Sequence, residues 1–233
     1  MSEHMALENL TVLDLTRVLA GPFCTMMLAD MGANVIKIEV PKGGDDTRSY
    51  PPFRAKNLNG ERESVYFANI NRNKKGITLN LKAPEGKEIF KELVKKADIV
   101  VENYRPGVMD KLGLGYDVLK EINPRIIYAA VSGFGCYGPY HLRPGYDILA
   151  QAMGGMMSIT GSKGGEPTRA GSALGDILGG LHVTIGILAA VNARTITGKG
   201  QRVDVSLMDS MIAATENTAL KYIETGNLSL IHI

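Results

Sequence analysis

The sequence has no tryptophan, and aromatic residues make up only 6% of it, too few rings for a surface that stacks nucleic-acid bases. Cysteine is nearly absent. Cys24 and Cys136 are too few and too far apart for a disulfide framework or a zinc site, so a reducing, cytoplasmic compartment is expected and no metal is. An excess of either charge is also missing: 26 Lys+Arg stand against 24 Asp+Glu, a net charge of +2, which argues against a nucleic-acid or membrane-surface partner. The longest apolar stretch, residues 177–191, is interrupted by three glycines and a histidine and falls short of a bilayer's thickness. The first five residues lack the basic-then-apolar order of a secretory signal. What is present is 45% apolar and 21% charged residues over 233 positions, enough for a soluble chain with a sizeable core.

Short β-branched runs alternate with helical periodicity through the first 136 residues. Strands are predicted at residues 11–16, 34–40, 76–81, 98–102 and 125–132, and helices at 23–31, 85–97 and 108–122, the last broken near 113–116. Pro84 falls in the first turn of its helix, where a missing N–H costs nothing. Residues 47–69 show no clean period and read as a surface excursion. Beyond Gly133, helices rich in small residues are expected at 147–158 and 176–197, then a strand at 203–207 and a helix from 208 to about 222. Strands alternating with helices predict an α/β fold, a parallel sheet covered on both faces.

Several segments carry candidate chemistry. The turn at Val18, Leu19 and Ala20, before Gly21-Pro22, follows the first strand, where α/β sheets offer free N–H groups to phosphates. It lacks the glycine pattern of a dinucleotide site and the lysine of a P-loop. Asn71-Arg72-Asn73-Lys74-Lys75, with Lys82, could neutralise a polyphosphate or simply form a solvated edge. Asn103-Tyr104-Arg105 ends another predicted strand and offers an amide, a ring and a guanidinium to a ligand. Asp147 and Asp176 are the acidic candidates. Asp176 lies at the start of a helix whose dipole would hold it ionised. The glycine pair that follows, Gly179-Gly180, would leave room for a bulky ligand or a neighbouring helix. His182 reads as a packed core histidine.

Together these segments resemble the family III CoA-transferases, the CaiB/BaiF group. The resemblance is carried by Ala20-Gly21-Pro22 and by residues 32–39 (GANVIKIE), 71–81 (NRNKKGITLNL), 101–107 (VENYRPG) and 132–135 (SGFG). It continues through 143–147 (RPGYD), 173–176 (ALGD) and 197–201 (TGKGQ), in family order over nearly the whole chain. It implies a Rossmann-like large domain, here residues 1–226, with the family's small domain missing and residues 227–233 a truncation tail. It further implies an interlocked homodimer and transfer of coenzyme A from an acyl-CoA to a small carboxylic acid, without metal. The family's invariant aspartate falls on Asp176, the implied nucleophile. Coenzyme contacts fall on Val18, Leu19, Ala20, Leu79, Lys82, Asn103, Tyr104, Arg105, Lys111, Tyr146 and Asp147. Val40 and Leu19 replace a basic residue and a glutamine of formyl-CoA transferase-like members, which points away from a formyl/oxalate specificity. Racemases of the same superfamily carry histidine where Tyr146 stands, and a phenol titrating near 10 is a poor base at neutral pH. A coenzyme-binding fragment without catalysis is the third reading.

Overall fold

The computed structural model describes residues 4–54, 60, 62–162 and 164–227. Six strands form one parallel sheet: β1 (Thr11–Asp14), β2 (Asn34–Glu39), β5 (Lys75–Thr78), β6 (Ile99–Glu102), β7 (Ile127–Ser132) and β8 (Arg202–Ser206), in the order β5-β2-β1-β6-β7-β8. A separate antiparallel pair, β3 (Phe53–Arg54) and β4 (Glu63–Ser64), lies between β2 and β5 in the chain. Counting only strands of the main sheet, this is the doubly wound order in which the chain reverses direction between its first and fourth strands. The reversal falls between β1 and β6, so a crevice is expected above their C-terminal ends.

Both faces of the sheet are covered, as the alternating apolar strands predict. Val12, Ile99, Val101, Ile127, Ala129 and Val131 point into one core with α1 (Ala20–Asp30) and α7 (Leu174–Thr197). Leu13, Val100, Tyr128 and Ala130 point into the other, against α3 (Pro84–Val94), α4 (Val108–Lys111) and α5 (Tyr116–Ile122). The remaining helices are α2 (Val65–Ile70), α6 (Asp147–Met153), α8 (Leu207–Ala214) and α9 (Asn217–Thr225).

The departures from the sequence reading have local causes. Helix α1 begins at Ala20, earlier than expected, because Pro22 sits within its first turn, where proline is tolerated. Strand β5 stops at Thr78, and the Asn80 side chain then turns the chain by accepting from the Lys82 N–H at 3.1 Å. Left-handed backbone at Gly155 ends the helix expected to reach 158, and a different positive-φ conformation at Glu216 (φ 48°, ψ −122°) splits the final helix into α8 and α9. The expected excursion at 47–69 contains the β3–β4 pair and α2; residues 55–59 and 61, like 228–233 of the expected tail, lie outside the described residues.

Helix α7 is 24 residues long and, by length and composition alone, apolar enough to cross a membrane. Its inner face packs on β7 and β8 and against α1 and α8. Its glycines make that approach possible. A Cβ on Gly180 would stand 2.7 Å from the Ala20 carbonyl oxygen, one on Gly186 would stand 2.6 Å from Val203 Cγ1, and one on Gly179 would overlap Leu207. The glycine pair therefore serves helix packing and does not open space for a ligand. His182 is exposed on the outer face, its Nδ1 2.8 Å from the Leu178 carbonyl oxygen; it is not the core histidine that the apolar surroundings suggested.

Candidate functional site

A cleft of about 380 Å³ opens above the C-terminal ends of β1, β6 and β7. One wall is the turn after β1. Val18 adopts φ 67°, a left-handed conformation that a β-branched side chain rarely takes and that must be enforced by its surroundings. Three contacts enforce it. The Asn103 side chain accepts from the Arg17 N–H at 2.8 Å and donates to the Arg17 carbonyl at 2.7 Å, and Asp45 accepts from the Val18 N–H at 3.3 Å. Arg17 also pairs with Asp46. The two strands at the reversal point are thus clamped together where the cleft begins.

Beneath the turn lies a buried ionic network. The Asp14 carboxylate accepts from the Thr16 N–H and hydroxyl at 2.9 and 2.5 Å, from the Thr25 hydroxyl at 2.7 Å and from the Lys74 ammonium at 3.0 Å. Lys37 bridges the Thr16 carbonyl and Asp45, each at 2.9 Å. Burial pushes the Asp14 carboxyl upward, but Lys74 and Lys37 outweigh it and hold the group below its ordinary value. The basic run at 71–75 lies outside the cleft; Arg72, Asn73 and Lys75 are exposed beside the edge strand β5, as a solvated edge would be, and Lys74 is the exception. Lys74 is inside, Arg72 pairs with Asp30, and Lys75 donates to Asn34 at 2.8 Å.

The opposite wall is the N-terminus of α7. Gly180 on the Ala20 carbonyl brings α7 against the start of α1, which is why Val18, Leu19 and Ala20 share the cleft with Asp176. Asp176 sits in the first turn of α7, half-buried, with its side chain in no hydrogen bond among the described residues. Burial first, and the neighbouring Asp147 carboxylate second, push the Asp176 carboxyl up to about 7. The expectation that the helix dipole would keep it fully ionised is corrected. Burial, then the charge of Asp176, push the phenol of Tyr66 on α2 up to about 12.

Asp147 is buried and braces the helix that carries Asp176. It accepts from the Gly175 N–H at 2.8 Å and from Gln151 at 2.8 Å, while Gln151 accepts from the Ala170 N–H at 3.0 Å. The Gly175 N–H is thereby engaged within the fold.

Of the positions singled out from the sequence, Val18, Leu19, Ala20, Asn103, Tyr104, Arg105, Tyr146 and Asp176 line the cleft. Leu79, Lys82, Lys111 and Asp147 do not line it. Leu79 packs on the second core, Lys82 and Lys111 are exposed, and Asp147 is turned inward. Asn103 lines the wall with its amide committed to Arg17. Arg17, Asp46, His141 and Arg143 also line the cleft and were not singled out. The last lies in the RPGYD segment, where a cation beside a motif aspartate was the available signal.

The loop at 103–105 hangs from Glu102, whose buried carboxylate accepts from the Tyr104 N–H at 2.7 Å and the Tyr128 hydroxyl at 3.1 Å. Burial pushes this carboxyl from 4.5 up to about 7. A folded-state value above the unfolded one gives a contribution that is full below 4.5 and lost as pH rises through about 7. Glu102→Gln should therefore flatten the fall in stability between about pH 5 and about pH 8, gaining on the order of 2–3 kcal/mol at the upper end; urea melts at both values check it. The thiols of Cys24 and Cys136 are free, and burial pushes both up to about 12, so neither is a ready nucleophile near neutrality. Among the described residues, no three His, Cys, Asp or Glu side chains stand close enough together to hold a metal ion.

A family model for CoA-transferase family III matches residues 7–230. The chain belongs to CoA-transferase family III. It is similar to the succinyl-CoA:mesaconate CoA-transferase of Haloarcula marismortui, with 48% identity over 223 residues, covering 93% of this chain and 55% of that protein. With the acetyl-CoA:oxalate CoA-transferase of Acetobacter aceti it shares 48% identity over 220 residues, covering 94% of this chain and 55% of that protein. A solved CaiB/BaiF family protein from Brucella suis has the same fold, with a TM-score of 0.92 and 44% identity over 97% of this chain and 60% of the other. The family III chain spans about half the length of the curated relatives it matches.

Proposed function

We propose that this chain carries the coenzyme-binding cleft and the nucleophile of an acyl-CoA:carboxylate CoA-transferase, with Asp176 as the attacking group. The observation that carries the reading is a carboxylate with no hydrogen-bond partner among the described residues, half-buried at a helix N-terminus, in a cleft at the reversal point of a family III sheet. The chemistry then balances without an external reactant. An Asp176 oxygen attacks the thioester carbonyl, the C–S bond breaks, and coenzyme A thiolate leaves a mixed anhydride. The thiolate attacks the aspartyl carbonyl, releasing the donor acid and leaving an aspartyl thioester. The acceptor carboxylate attacks that thioester, and the released thiolate takes the new acyl group, restoring Asp176.

A carboxylate is a weak nucleophile in water, and partial burial favours the attack in two ways. It strips solvent from the oxygen, and it raises basicity so that the ionised group is more reactive. The coenzyme's phosphates suit the exposed Arg105, and the small acid lies toward Asp176. A second copy of the chain, interlocked with the first, is part of the same reading for the whole protein.

The test is exchange between an acyl-CoA and a free carboxylic acid without ATP. Because Asp176 attacks only when ionised, kcat/KM for the acyl-CoA should rise with pH and level off above about 7. Exchange of α-protons with deuterated solvent and no thioester exchange would instead mark a racemase and overturn the proposal.

A further inference from the structure

Three arginines line the cleft. Arg17 is neutralised by Asp46. Arg105 stands at the β6 side beside Asn103 and Tyr104. Arg143 comes from the other side and, among the described residues, has no carboxylate partner. Its guanidinium carbon lies 4.2 Å from the centroid of the Tyr140 ring, which fixes the plane of the group and leaves its N–H edge for a ligand.

Arg143 is also placed relative to the nucleophile by backbone contacts. Residues 143–147 cross the turn after β7 so closely that a Cβ on Gly145 would stand 2.7 Å from the Gly133 Cα. Asp147, at the end of this segment, holds the Gly175 N–H, one residue from Asp176. A shift of one element carries the other with it. A ligand bringing a second carboxylate into a cleft that already contains Asp176 and lies beside Asp147 meets repulsion, unless a fixed cation receives it.

We propose that Arg143 receives the distal carboxylate of a dicarboxylic acyl group or acceptor, and so selects dicarboxylic over monocarboxylic acids. This rests on the transferase reading above. The planar fork matches a carboxylate with two parallel hydrogen bonds, which a monocarboxylate tail cannot form. The relatives named for mesaconate and oxalate act on acids of this class by their names.

The experiment compares succinate with butyrate as acceptors, using one acyl-CoA donor, in the protein and its Arg143→Gln and Arg143→Lys variants. The native protein should prefer succinate. Arg143→Gln should lower the succinate-to-butyrate ratio of kcat/KM by about 10–100-fold, through the acceptor's KM, the effect of one charge-assisted pair. Arg143→Lys should recover part of it by keeping the charge. An unchanged ratio, in a protein that exchanges thioesters, would overturn this inference alone. A rise in the donor's KM instead would put the guanidinium on the coenzyme's phosphates and also overturn it. Absence of exchange with either acid in the native protein would remove the transferase reading and this inference with it.

Discussion

Asp176→Ala should lower thioester exchange in the protein by on the order of 10³-fold or more, while the affinity for coenzyme A changes by less than about threefold. The asymmetry follows from geometry. Among the described residues Asp176 makes no hydrogen bond that supports the cleft, so its removal deletes the proposed attacking oxygen and little else. Asp176→Asn should lose as much, since the amide fills the same space without the charge. Equal loss in both variants separates a nucleophile from a wedge, because a wedge would survive the change to asparagine. Steady-state rates and coenzyme titration check the pair.

Lys74→Met should destabilise the fold by roughly 3–5 kcal/mol, the usual cost of stranding one member of a buried ion pair. Lys74 is buried and donates to Asp14 at 3.0 Å, the Pro22 carbonyl at 3.0 Å and Asn71 at 2.9 Å. Without it, the Asp14 charge stays in the core with Lys37 as the nearest compensation. Adding Asp14→Asn to the Lys74→Met chain should recover part of the loss, since the stranded charge is then gone. Asp14 is held below its ordinary value, so its stabilising contribution is full above the unfolded carboxyl's range and disappears as pH falls through the lower folded value. Urea unfolding of the single and double variants tests the coupling; simple additivity would contradict it.

The sheet was legible because its strands are buried on both faces, leaving compact apolar runs such as residues 99–101 and 127–131 between turns. The start of α1 was not, because Gly21-Pro22 is equally a turn and a helix's first turn. What closes the cleft was harder still. Asp45 and Asp46 sit in or beside a short element held by Lys37 of β2 and by Arg17 after β1, and those contacts leave no local period.

Two charge readings turned on magnitude. A helix dipole offers an exposed carboxylate roughly 0.3–1 kcal/mol. Raising Asp176 from 3.8 to about 7 corresponds to roughly 4 kcal/mol in the opposite direction, so burial and Asp147 prevail. Lys74 looked like its solvated neighbours in sequence, and the buried carboxylate of Asp14, far away in the chain, draws it inside.

The oxygen atoms of Asp176 give the most direct test. If the acceptor acid carries heavy oxygen in its carboxylate, one turnover through the second anhydride leaves one labelled oxygen on Asp176 when the thiolate takes the acyl group. Mass spectrometry of the peptide containing Asp176, after turnover with an acyl-CoA, should find that label there. Thioester exchange that leaves Asp176 unlabelled, or a label appearing on another carboxyl, would contradict the account.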